Sequence, residues 1–441
     1  MSLFGPKGVH APHRKNTASM SPVRMPIPKT VVIPMAMHIG APAAPVVKAG
    51  DQVAVGQLIG EATGFVSSNV YSSVSGTVKK IDEMLNFNGS KMTAITIESD
   101  GEMTPYEGIT PPVVTNYEEF VNAVKACGLV GLGGAGFPTQ VKLSVKDLSK
   151  VSEVIINGAE CEPYITSDTR TMLDRKDDIF EGIKLLEKFM EVKKFIIGIE
   201  DNKPEAIKAM QELAAKDSNI EVKVLPAMYP QGGEKVLILN TTGKIVAEGQ
   251  LPLDVGSIVL NATSLAELAR FIRTGMPLTE KCITVDGSAV KNPQNVIVPI
   301  GTPMKEVFDF CGGFKEEPKK VLYGGPMMGI AVPDLDRPIL KNTNAIIAFN
   351  AVDASRPEES PCIHCGNCVT HCPLRLNPPA IAKAYAHKDY EEVKALKVNL
   401  CMECGCCSFI CPAKRNIVAR HKLAKAGLRT YESQKKEKEA K

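Results

Sequence analysis

The sequence contains no tryptophan, and aromatic residues make up only 5% of its 441 residues. Few rings are available to stack on nucleic-acid bases, and a net charge of +3 is too small to indicate a nucleic-acid partner. No window of 18 uncharged apolar residues occurs, so we expect no membrane-spanning helix. The first residues lack the apolar segment and cleavage site of a signal peptide. These absences predict an intracellular protein, and the length predicts about three domains of roughly 150 residues each.

The 13 cysteines are unevenly distributed, and nine of them lie between residues 362 and 411. A disulfide framework is typical of small secreted chains and would distribute its cysteines along the sequence. Crowding of thiols on one short stretch of a long chain indicates a metal centre instead.

Eight of these cysteines form two identical runs with the spacing C-x2-C-x2-C-x3-C-P. The first run contains Cys362, Cys365, Cys368 and Cys372, and the second contains Cys401, Cys404, Cys407 and Cys411. This is the bacterial [4Fe–4S] pattern, in which three close thiolates bind one cluster and the fourth cysteine binds the other cluster. We therefore predict two [4Fe–4S] clusters. Their ligand sets are Cys362, Cys365, Cys368 and Cys411 for the first, and Cys401, Cys404, Cys407 and Cys372 for the second.

The alternative for these thiols is structural zinc, which is bound by two CxxC pairs. Zinc would leave unexplained the third closely spaced cysteine of each run and the Cys-Pro that ends each run. Cys406 lies off the spacing and could replace Cys407 if the turn shifts by one residue.

The rest of the chain divides by its hydrophobic pattern. Residues 1–30 are rich in proline and basic residues and predict an extended arm. Short β-branched runs over residues 31–110 predict a small β-barrel or sandwich. Within it, VKAGDQVAVGQLIGEA and VYSSVSGTVKKID resemble the two halves of a lipoyl-type domain, so we expect a lipoyl-like β-sandwich. The hairpin tip at residues 73–76 has no lysine, so we expect a structural module rather than a carrier of a swinging arm.

Alternating strand and helix patterns over residues 117–255 predict a doubly wound, parallel α/β domain with its ligand at the carboxyl ends of the strands. Residues 256–345 are expected to form a β-grasp (SLBB-like) domain, and residues 355–412 the double-cluster, ferredoxin-type helical module. The tail, residues 413–441, has ten basic residues against three acidic ones and is expected to be solvated and partly helical. Docking of the tail against an acidic partner or an anionic lipid is the alternative.

Three polar or glycine-rich segments are expected to meet at one edge of this parallel sheet. The first is GLGGAGFPT at residues 131–139, whose letters match GxGxxG. A dinucleotide-binding fingerprint requires a strand before these glycines and a helix after them, whereas here a helical pattern precedes them and Pro138 follows. The others are NGAECEP at residues 157–163 and YPQGGEK at residues 229–235. Each alone is typical of a solvated loop, but together they predict a nucleotide or flavin site.

In these segments and in LNATSL around Asn261, the sequence resembles the NADH-binding flavoprotein subunit of respiratory complex I. With the lipoyl-like domain and the two cysteine runs, the whole chain resembles the C subunits of the Rnf family of membrane-bound ferredoxin:NAD oxidoreductases. The resemblance implies non-covalent FMN and bound NAD(H). The implied cofactor-binding residues are Gly131, Gly133, Gly136, Phe137, Lys142, Asn157, Glu160, Glu162, Gly232, Glu234 and Asn261. Ala159 and Gly233 stand where the complex I relatives carry acids, so those contacts do not transfer.

The resemblance also implies an enzymatic function, a ferredoxin:NAD+ oxidoreductase acting as one subunit of a complex. Such a subunit is peripheral, lies on the cytoplasmic side of the cell membrane and carries electrons between the clusters, FMN and NAD(H). It receives electrons from ferredoxin indirectly, while the other subunits of the membrane complex translocate ions. Two alternatives remain open from the residues: an iron–sulfur scaffold without flavin, and a zinc-bearing nucleic-acid module.

Overall fold

The computed structural model describes residues 7–86 and 89–439. Residues 1–6 of the predicted arm, 87–88 of the predicted sandwich and 440–441 of the predicted tail lie outside this range. Four structural units follow one another along the chain, and the predicted multidomain α/β class is confirmed.

The first unit is a sandwich of two antiparallel sheets. The strands of this region are β1 (Val23–Arg24), β2 (Thr30–Pro34), β3 (Ala44–Pro45), β4 (Gln52–Val53), β5 (Leu58–Glu61), β6 (Val70–Tyr71), β7 (Gly76–Leu85) and β8 (Lys91–Ser99). One sheet has the order β2-β8-β7-β4 and the other has the order β3-β5-β6. The two sheets enclose alternate apolar residues such as Val31, Ile59 and Ile95. Ser73, at the hairpin tip, is buried and donates to the Ile300 carbonyl, as expected for a structural module.

The second unit is a four-stranded parallel sheet with helices on both faces. Its strands are β9 (Glu153–Asn157), β10 (Phe195–Glu200), β11 (Ile220–Leu225) and β12 (Ser257–Asn261), in the order β11-β10-β9-β12. Its helices are α1 (Tyr117–Ala126), α2 (Thr139–Leu143), α3 (Ser167–Asp174), α4 (Lys176–Met190), α5 (Pro204–Ala214), α6 (Glu234–Thr242) and α7 (Ala262–Thr274), with 3-10 turns at Leu148–Lys150 and Pro252–Val255.

The sequence explains this second unit well. Ile179, Ile183 and Leu186 recur at helical spacing on α4 and are fully buried, which places α4 on one face of the sheet. Leu237 and Ile238 of α6 pack on the other face, so the predicted doubly wound arrangement is confirmed. The sheet extends beyond the predicted boundary at residue 255, because β12 pairs in parallel with β9 and α7 covers it.

The third unit is a mixed six-stranded sheet with one helix. It contains β13 (Glu280–Asp286), β14 (Gln294–Pro299), α8 (Met304–Phe310), β15 (Lys320–Tyr323), β16 (Ile330–Ala331) and β17 (Ala345–Phe349). The order is β1-β14-β13-β17-β15-β16, so the arm contributes an edge strand through β1. The β13–β14 hairpin turns after Asp286 at Gly287, whose φ of 120° favours glycine.

The fourth unit is a small helical module around the cysteines. Its helices are α9 (Asn367–Thr370), α10 (Pro378–Ala386), α11 (Tyr390–Ala395), α12 (Cys406–Phe409) and α13 (Ile417–Glu439), with a 3-10 turn at Val398–Leu400. The tail differs from the solvated segment expected. Ala424 and Leu428 of α13 are buried against the module, and Tyr431 stacks on Tyr390 with ring centroids 5.5 Å apart. Within the described range, no helix is long and apolar enough to cross a membrane.

The described part of the N-terminal arm is packed between the second and third units. The Val9 N–H donates to the Tyr229 carbonyl, and the Tyr164 N–H donates to the His13 carbonyl at 2.9 Å. Further along, Asn295 Nδ2 donates to the Thr17 carbonyl at 2.9 Å. The arm therefore joins the parallel sheet to the mixed sheet.

Candidate functional site

The site begins at the carboxyl edge of the parallel sheet, where two asparagines end neighbouring strands. Asn157 ends β9 and Asn261 ends β12, and the two are register partners. Asn157 Nδ2 donates to the Gly232 carbonyl at 2.9 Å. Asn261 accepts from the Ser264 N–H, which caps α7, and donates to Asp168 Oδ2 at 2.7 Å. Each asparagine is therefore fixed by a loop or a helix end.

The glycine loop lies against this edge. The Gly131 N–H donates to the Phe137 carbonyl at 2.9 Å and closes the loop, which leaves residues 133–135 exposed. A Cβ on Gly133 would lie 2.6 Å from Asn261 Nδ2, so only glycine permits this approach. Gly136 has a φ of +67°. An exposed, glycine-lined turn beside two fixed amides fits the polar edge of a flat ring or a phosphate.

An ion pair completes this side of the site. Lys142 of α2 lies 2.6 Å from Glu234 Oε1 at the start of α6, and its Nζ also donates to the Val259 carbonyl at 3.1 Å. The structure thus brings together nine of the eleven residues assigned to FMN and NAD(H). They are Gly131, Gly133, Gly136, Phe137, Lys142, Asn157, Gly232, Glu234 and Asn261.

The carboxylates of the remaining two residues are held by other protein groups. Glu160 accepts from the Asp168 N–H at 2.6 Å and from Thr169 Oγ1 at 2.5 Å, at the first turn of α3. Glu162 accepts from the N–H groups of Met327 at 3.0 Å and Met328 at 2.7 Å, in the mixed-sheet unit. Burial raises the pKa of each carboxyl to about 7. Both side chains therefore anchor their loop to neighbouring elements.

Two buried lysines that the sequence analysis missed hold the carbonyl side of the same loop. Lys15 Nζ donates to the carbonyls of Glu160, Glu162 and Ile165 at 2.6–2.9 Å. Lys203 Nζ donates to the Ala159 carbonyl at 2.6 Å. Burial lowers the pKa of Lys15 to about 8. No motif marks Lys15, because its partners lie 145 or more residues away in the sequence.

A third buried lysine supports the glycine loop. Lys281 of β13 donates from Nζ to the Leu132 carbonyl and is only 5% exposed. Asp168, which also escaped the sequence analysis, accepts from Thr263 Oγ1 at 2.6 Å as well as from Asn261. Neither residue belongs to a recognisable motif.

In the cysteine module, one cavity is lined by the off-spacing Cys406 and by four thiols from the two runs. The four thiols are Cys372 of the first run and Cys401, Cys404 and Cys407 of the second. We call them the inner set. Burial, and then the charges of Cys404, Cys401 and Cys372, raise the pKa of Cys407 to about 12. His421 of α13 lies beside this cavity, with Nδ1 3.4 Å from Cys401 Sγ.

The other four cysteines form the outer set, Cys362, Cys365, Cys368 and Cys411. Cys368 packs against Cys411, and burial together with the charges of the other three raises its pKa. Cys362 and Cys365 are exposed. In the described part of the chain, no three His, Cys, Asp or Glu side chains are grouped so as to hold a single metal ion. The donor chemistry, four thiols in each set, is that of a cubane cluster.

The inner set lies directly against the loop that follows β11. Tyr229 OH donates to the Cys404 carbonyl at 2.8 Å, and a Cβ on Gly233 would overlap Met402 Cε. Cys406, the off-spacing cysteine, is buried and donates its thiol to the Tyr229 carbonyl at 3.7 Å. The sheet-edge site and the inner set are therefore adjacent, and the outer set lies on the exposed side of the module.

Four family models match the chain, in the order of its structural units. Residues 4–102 match the RnfC barrel sandwich hybrid domain, and residues 124–270 match the Nuo51 FMN-binding domain. Residues 282–331 match the SLBB domain, and residues 356–412 match the 4Fe-4S dicluster domain.

Curated relatives match nearly the whole chain. The C subunit of the Na(+)-translocating ferredoxin:NAD(+) oxidoreductase complex of Acetobacterium woodii is 43% identical, over 95% of each chain. The C subunit of the proton-translocating complex of Clostridium ljungdahlii is 43% identical, over 88% of this chain and 85% of the relative. The C subunit of the ion-translocating oxidoreductase complex of Rhodobacter capsulatus is 38% identical, over 84% and 73%.

Among solved structures, the chain is similar to NAD+-reducing [NiFe]-hydrogenase. The H2-reduced form matches at 19% identity with a TM-score of 0.49, over 70% of this chain and 63% of that one. The air-oxidized form matches at 20% identity with a TM-score of 0.47, over 63% and 54%.

Proposed function

Because the chain belongs to the family of C subunits of the ion-translocating ferredoxin:NAD(+) oxidoreductase (Rnf) complexes, we propose that it is the NAD(H)-reacting electron-transfer subunit of such a complex. In this role it exchanges electrons with NAD(H) at the sheet edge and with a partner through the cysteine module. The partner subunits couple this flow to ion translocation.

We assign the FMN to the sheet edge. Gly131, Gly133 and Gly136 would let the flavin approach the backbone closely, and Asn157 and Asn261 would face its polar side. Lys142 would supply a positive charge, which Glu234 balances in the structure. When bound there, FMN would supply hydride exchange with nicotinamide and onward transfer of single electrons. The residues of the chain orient the two rings and exclude water, and no side chain is needed as an acid or a base.

NAD(H) would enter over the exposed part of the glycine loop, beside Phe137 and Glu234. Glu160 and Glu162 would act here as positioning residues, because their carboxylates are bound to backbone N–H groups of other elements. Lys15 and Lys203 would fix the same loop from its carbonyl side. The rigid loop would hold the nicotinamide in place without its carboxylates contacting it.

We assign one [4Fe–4S] cluster to the inner set and one to the outer set. The observation that carries the proposal is the contact between the loop at Tyr229–Gly233 and the inner set, through Cys404 and Met402. It gives a short path from the sheet edge to the inner set and from there to the outer set, which has two exposed cysteines. Centres that take one electron at a time are needed beyond the flavin.

We further propose that the chain is peripheral and lies on the cytoplasmic side of the cell membrane, where NAD(H) and ferredoxin are present. A washing experiment tests this location. Chaotropic salt should release the chain from membranes that retain the other subunits, and a chain that stays bound would contradict a peripheral location.

The scaffold without flavin is not favoured, because residues 124–270 match an FMN-binding domain. The zinc-bearing module is not favoured either, because residues 356–412 match a 4Fe-4S dicluster domain.

Anaerobic purification followed by iron, sulfide and flavin analysis tests the proposal. We expect two four-iron clusters and one FMN per chain. NADH should bleach the flavin absorbance and then reduce the clusters, and NADH should support ferricyanide reduction. Iron without flavin, or flavin that NADH does not reduce, would overturn the proposal.

A further inference from the structure

Two side chains of the mixed-sheet unit hold carbonyl groups of the glycine loop. Lys281 Nζ donates to the Leu132 carbonyl, and Asn342 Nδ2 donates to the Gly134 carbonyl at 2.9 Å. Lys281 lies on β13, and Asn342 lies three residues before the start of β17. Both hydrogen bonds therefore cross from the third unit to the second, and neither side chain belongs to the residues assigned to FMN and NAD(H).

The sandwich holds a third carbonyl of the same loop. The Ile39 N–H donates to the Gly136 carbonyl at 3.1 Å. A Cβ on Gly136 would lie 3.3 Å from Asn342 Nδ2 and 3.4 Å from the Met37 carbonyl oxygen, so the end of the loop is enclosed between the first and third units. Alternate carbonyls, at positions 132, 134 and 136, are thus each bound by a donor from outside the parallel-sheet unit.

Binding of these carbonyls fixes where the neighbouring N–H groups point. In a planar trans peptide the carbonyl of one residue and the N–H of the next point in opposite directions. The N–H groups of Gly133, Ala135 and Phe137 are therefore directed away from the donors that bind the three carbonyls. In the part of the chain that the structure describes, these three N–H groups have no hydrogen-bond partner. Free N–H groups on one glycine-rich turn favour an anionic group such as a phosphate.

We infer that Lys281 and Asn342 are positioning residues of the FMN site. They keep the carbonyls of Leu132 and Gly134 turned away from the ligand, so that the acceptor atoms of FMN meet N–H groups instead of oxygen atoms. The inference rests on the proposed function and adds two residues of the mixed-sheet unit to a site built on the parallel sheet. Both act through the backbone of the glycine loop and need not contact the ligand.

Without these donors the peptides of the loop should turn. Glycine at positions 133 and 134 leaves the backbone many accessible conformations, so a carbonyl that loses its donor can rotate towards the ligand. A carbonyl oxygen that faces a phosphate replaces an attraction with a repulsion. Removal of either donor should therefore weaken FMN binding.

Asn342→Ala tests the first donor. Titration of flavin-free protein, followed by FMN fluorescence, should show binding at least tenfold weaker than in the wild type. Asn342→Gln keeps an amide donor and should bind FMN within about threefold of the wild type. Asn350→Ala is the matched control, because it also removes a hydrogen bond from Nδ2, made to Glu316 Oε1 at 3.0 Å in the same unit. This control should bind FMN like the wild type.

Lys281→Met tests the second donor and separates positioning from stability. Burial lowers the pKa of Lys281 to about 7, so burying its charge costs free energy and the variant should not lower the unfolding temperature of the flavin-free chain. FMN should nevertheless bind at least tenfold more weakly. Lys341→Met is the matched control, because Lys341 is also buried but its Nζ donates to carbonyls outside the glycine loop, such as Gly128 O.

Unchanged FMN affinity in Asn342→Ala and Lys281→Met would overturn the inference, and so would an equal loss in the two controls. Equal affinities of Asn342→Ala and Asn342→Gln would mean that the amide donor is not what the site requires. A loss of affinity that only accompanies a lower unfolding temperature of both flavin-free variants would assign both residues to stability alone. Wild-type chain that binds no FMN would instead refute the proposed function.

Discussion

At the scale of single residues, the candidate site depends on close approaches that tolerate no added atom. Gly133 and Asn261 illustrate this, because the asparagine both caps α7 and donates to Asp168. A buried hydrogen bond to a charged group contributes about 1.5–3 kcal/mol. Small changes in the glycine loop should therefore affect cofactor binding before they affect the fold.

Gly133→Ala should weaken FMN binding roughly 10-fold to 100-fold, because its Cβ would push Asn261 away from Asp168 and each 1.4 kcal/mol is a factor of ten. Fluorescence titration of flavin-free protein with FMN measures the effect. Gly134→Ala is the matched control, since a Cβ there meets nothing within 4 Å. Equal affinities of the two variants would contradict the role of Asn261.

At the scale of elements, the cysteine module folds so that each set takes its fourth thiol from the other run. The helical turns α9 and α12 end just before Cys372 and Cys411, and each returns its last cysteine towards the other three-cysteine turn. The assignment of ligands therefore depends on the packing of the two runs and not on the order of the sequence.

Cys411→Ser should remove or alter the cluster of the outer set, although Cys411 belongs to the second run. Cys372→Ser should do the same to the inner set. Electron paramagnetic resonance of the reduced proteins distinguishes the two losses. Cys406→Ser should retain both signals, and its loss of a cluster would mean that Cys406 is a ligand.

The loop between β11 and α6 controls the contact between the sheet edge and the inner set. Gly233→Val should displace Met402 and slow NADH-dependent cluster reduction at least threefold, while NADH–ferricyanide activity is retained. Stopped-flow spectroscopy separates the flavin and cluster phases. Gly233→Val/Met402→Ala should restore the rate, because the smaller side chain makes room for the valine. A slow double variant would mean that the valine acts on the flavin site itself.

At the scale of the whole molecule, buried lysines join the units. Lys341 is fully buried and donates from Nζ to Gly128 O at 2.8 Å and to Asn69 O. It thereby connects the third unit to the first and second units. Burial lowers the pKa of Lys341 to about 7, well below the roughly 10.4 of an unfolded lysine.

This shift makes stability depend on pH. Below about pH 7 the folded and the unfolded chain both bind the proton of Lys341, so the folded state bears the full cost of burying the charge. Between about pH 7 and 10 only the unfolded chain binds this proton. The free energy of unfolding should therefore rise as pH rises over that range. From pH 7 to 9 the rise should be about 2 kcal/mol in the wild type relative to Lys341→Met, because over this range the unfolded chain binds the proton and the folded chain loses it.

Denaturant unfolding, followed by near-UV circular dichroism at several pH values, measures this rise. Lys146→Met, at an exposed lysine, is the matched control and should leave the pH profile unchanged. A wild-type profile that parallels that of Lys341→Met would contradict the effect.

Local patterns in the sequence determine much of this protein. The β-branched runs predict the sandwich. The strand–helix alternation and the apolar face of α4 predict the doubly wound sheet. Such patterns are informative because they show which face of each element is buried. The cysteine spacing predicts the cluster module, because three thiols in one turn can bind three corners of a cubane. The three glycine-rich and polar loops are likewise visible, since parallel strands bring their carboxyl ends to one edge.

Only the tertiary structure decided which way the functional side chains face. Glu160 and Glu162 turn to N–H groups of α3 and of the mixed-sheet unit, and Lys15 reaches the same loop from the arm. The cysteine set that lies against Gly233 was equally hidden. Their partners lie far apart in the sequence, and burial and hydrogen bonding are settled only when separate units pack. Local sequence patterns therefore do not show which distant residues will become hydrogen-bond partners.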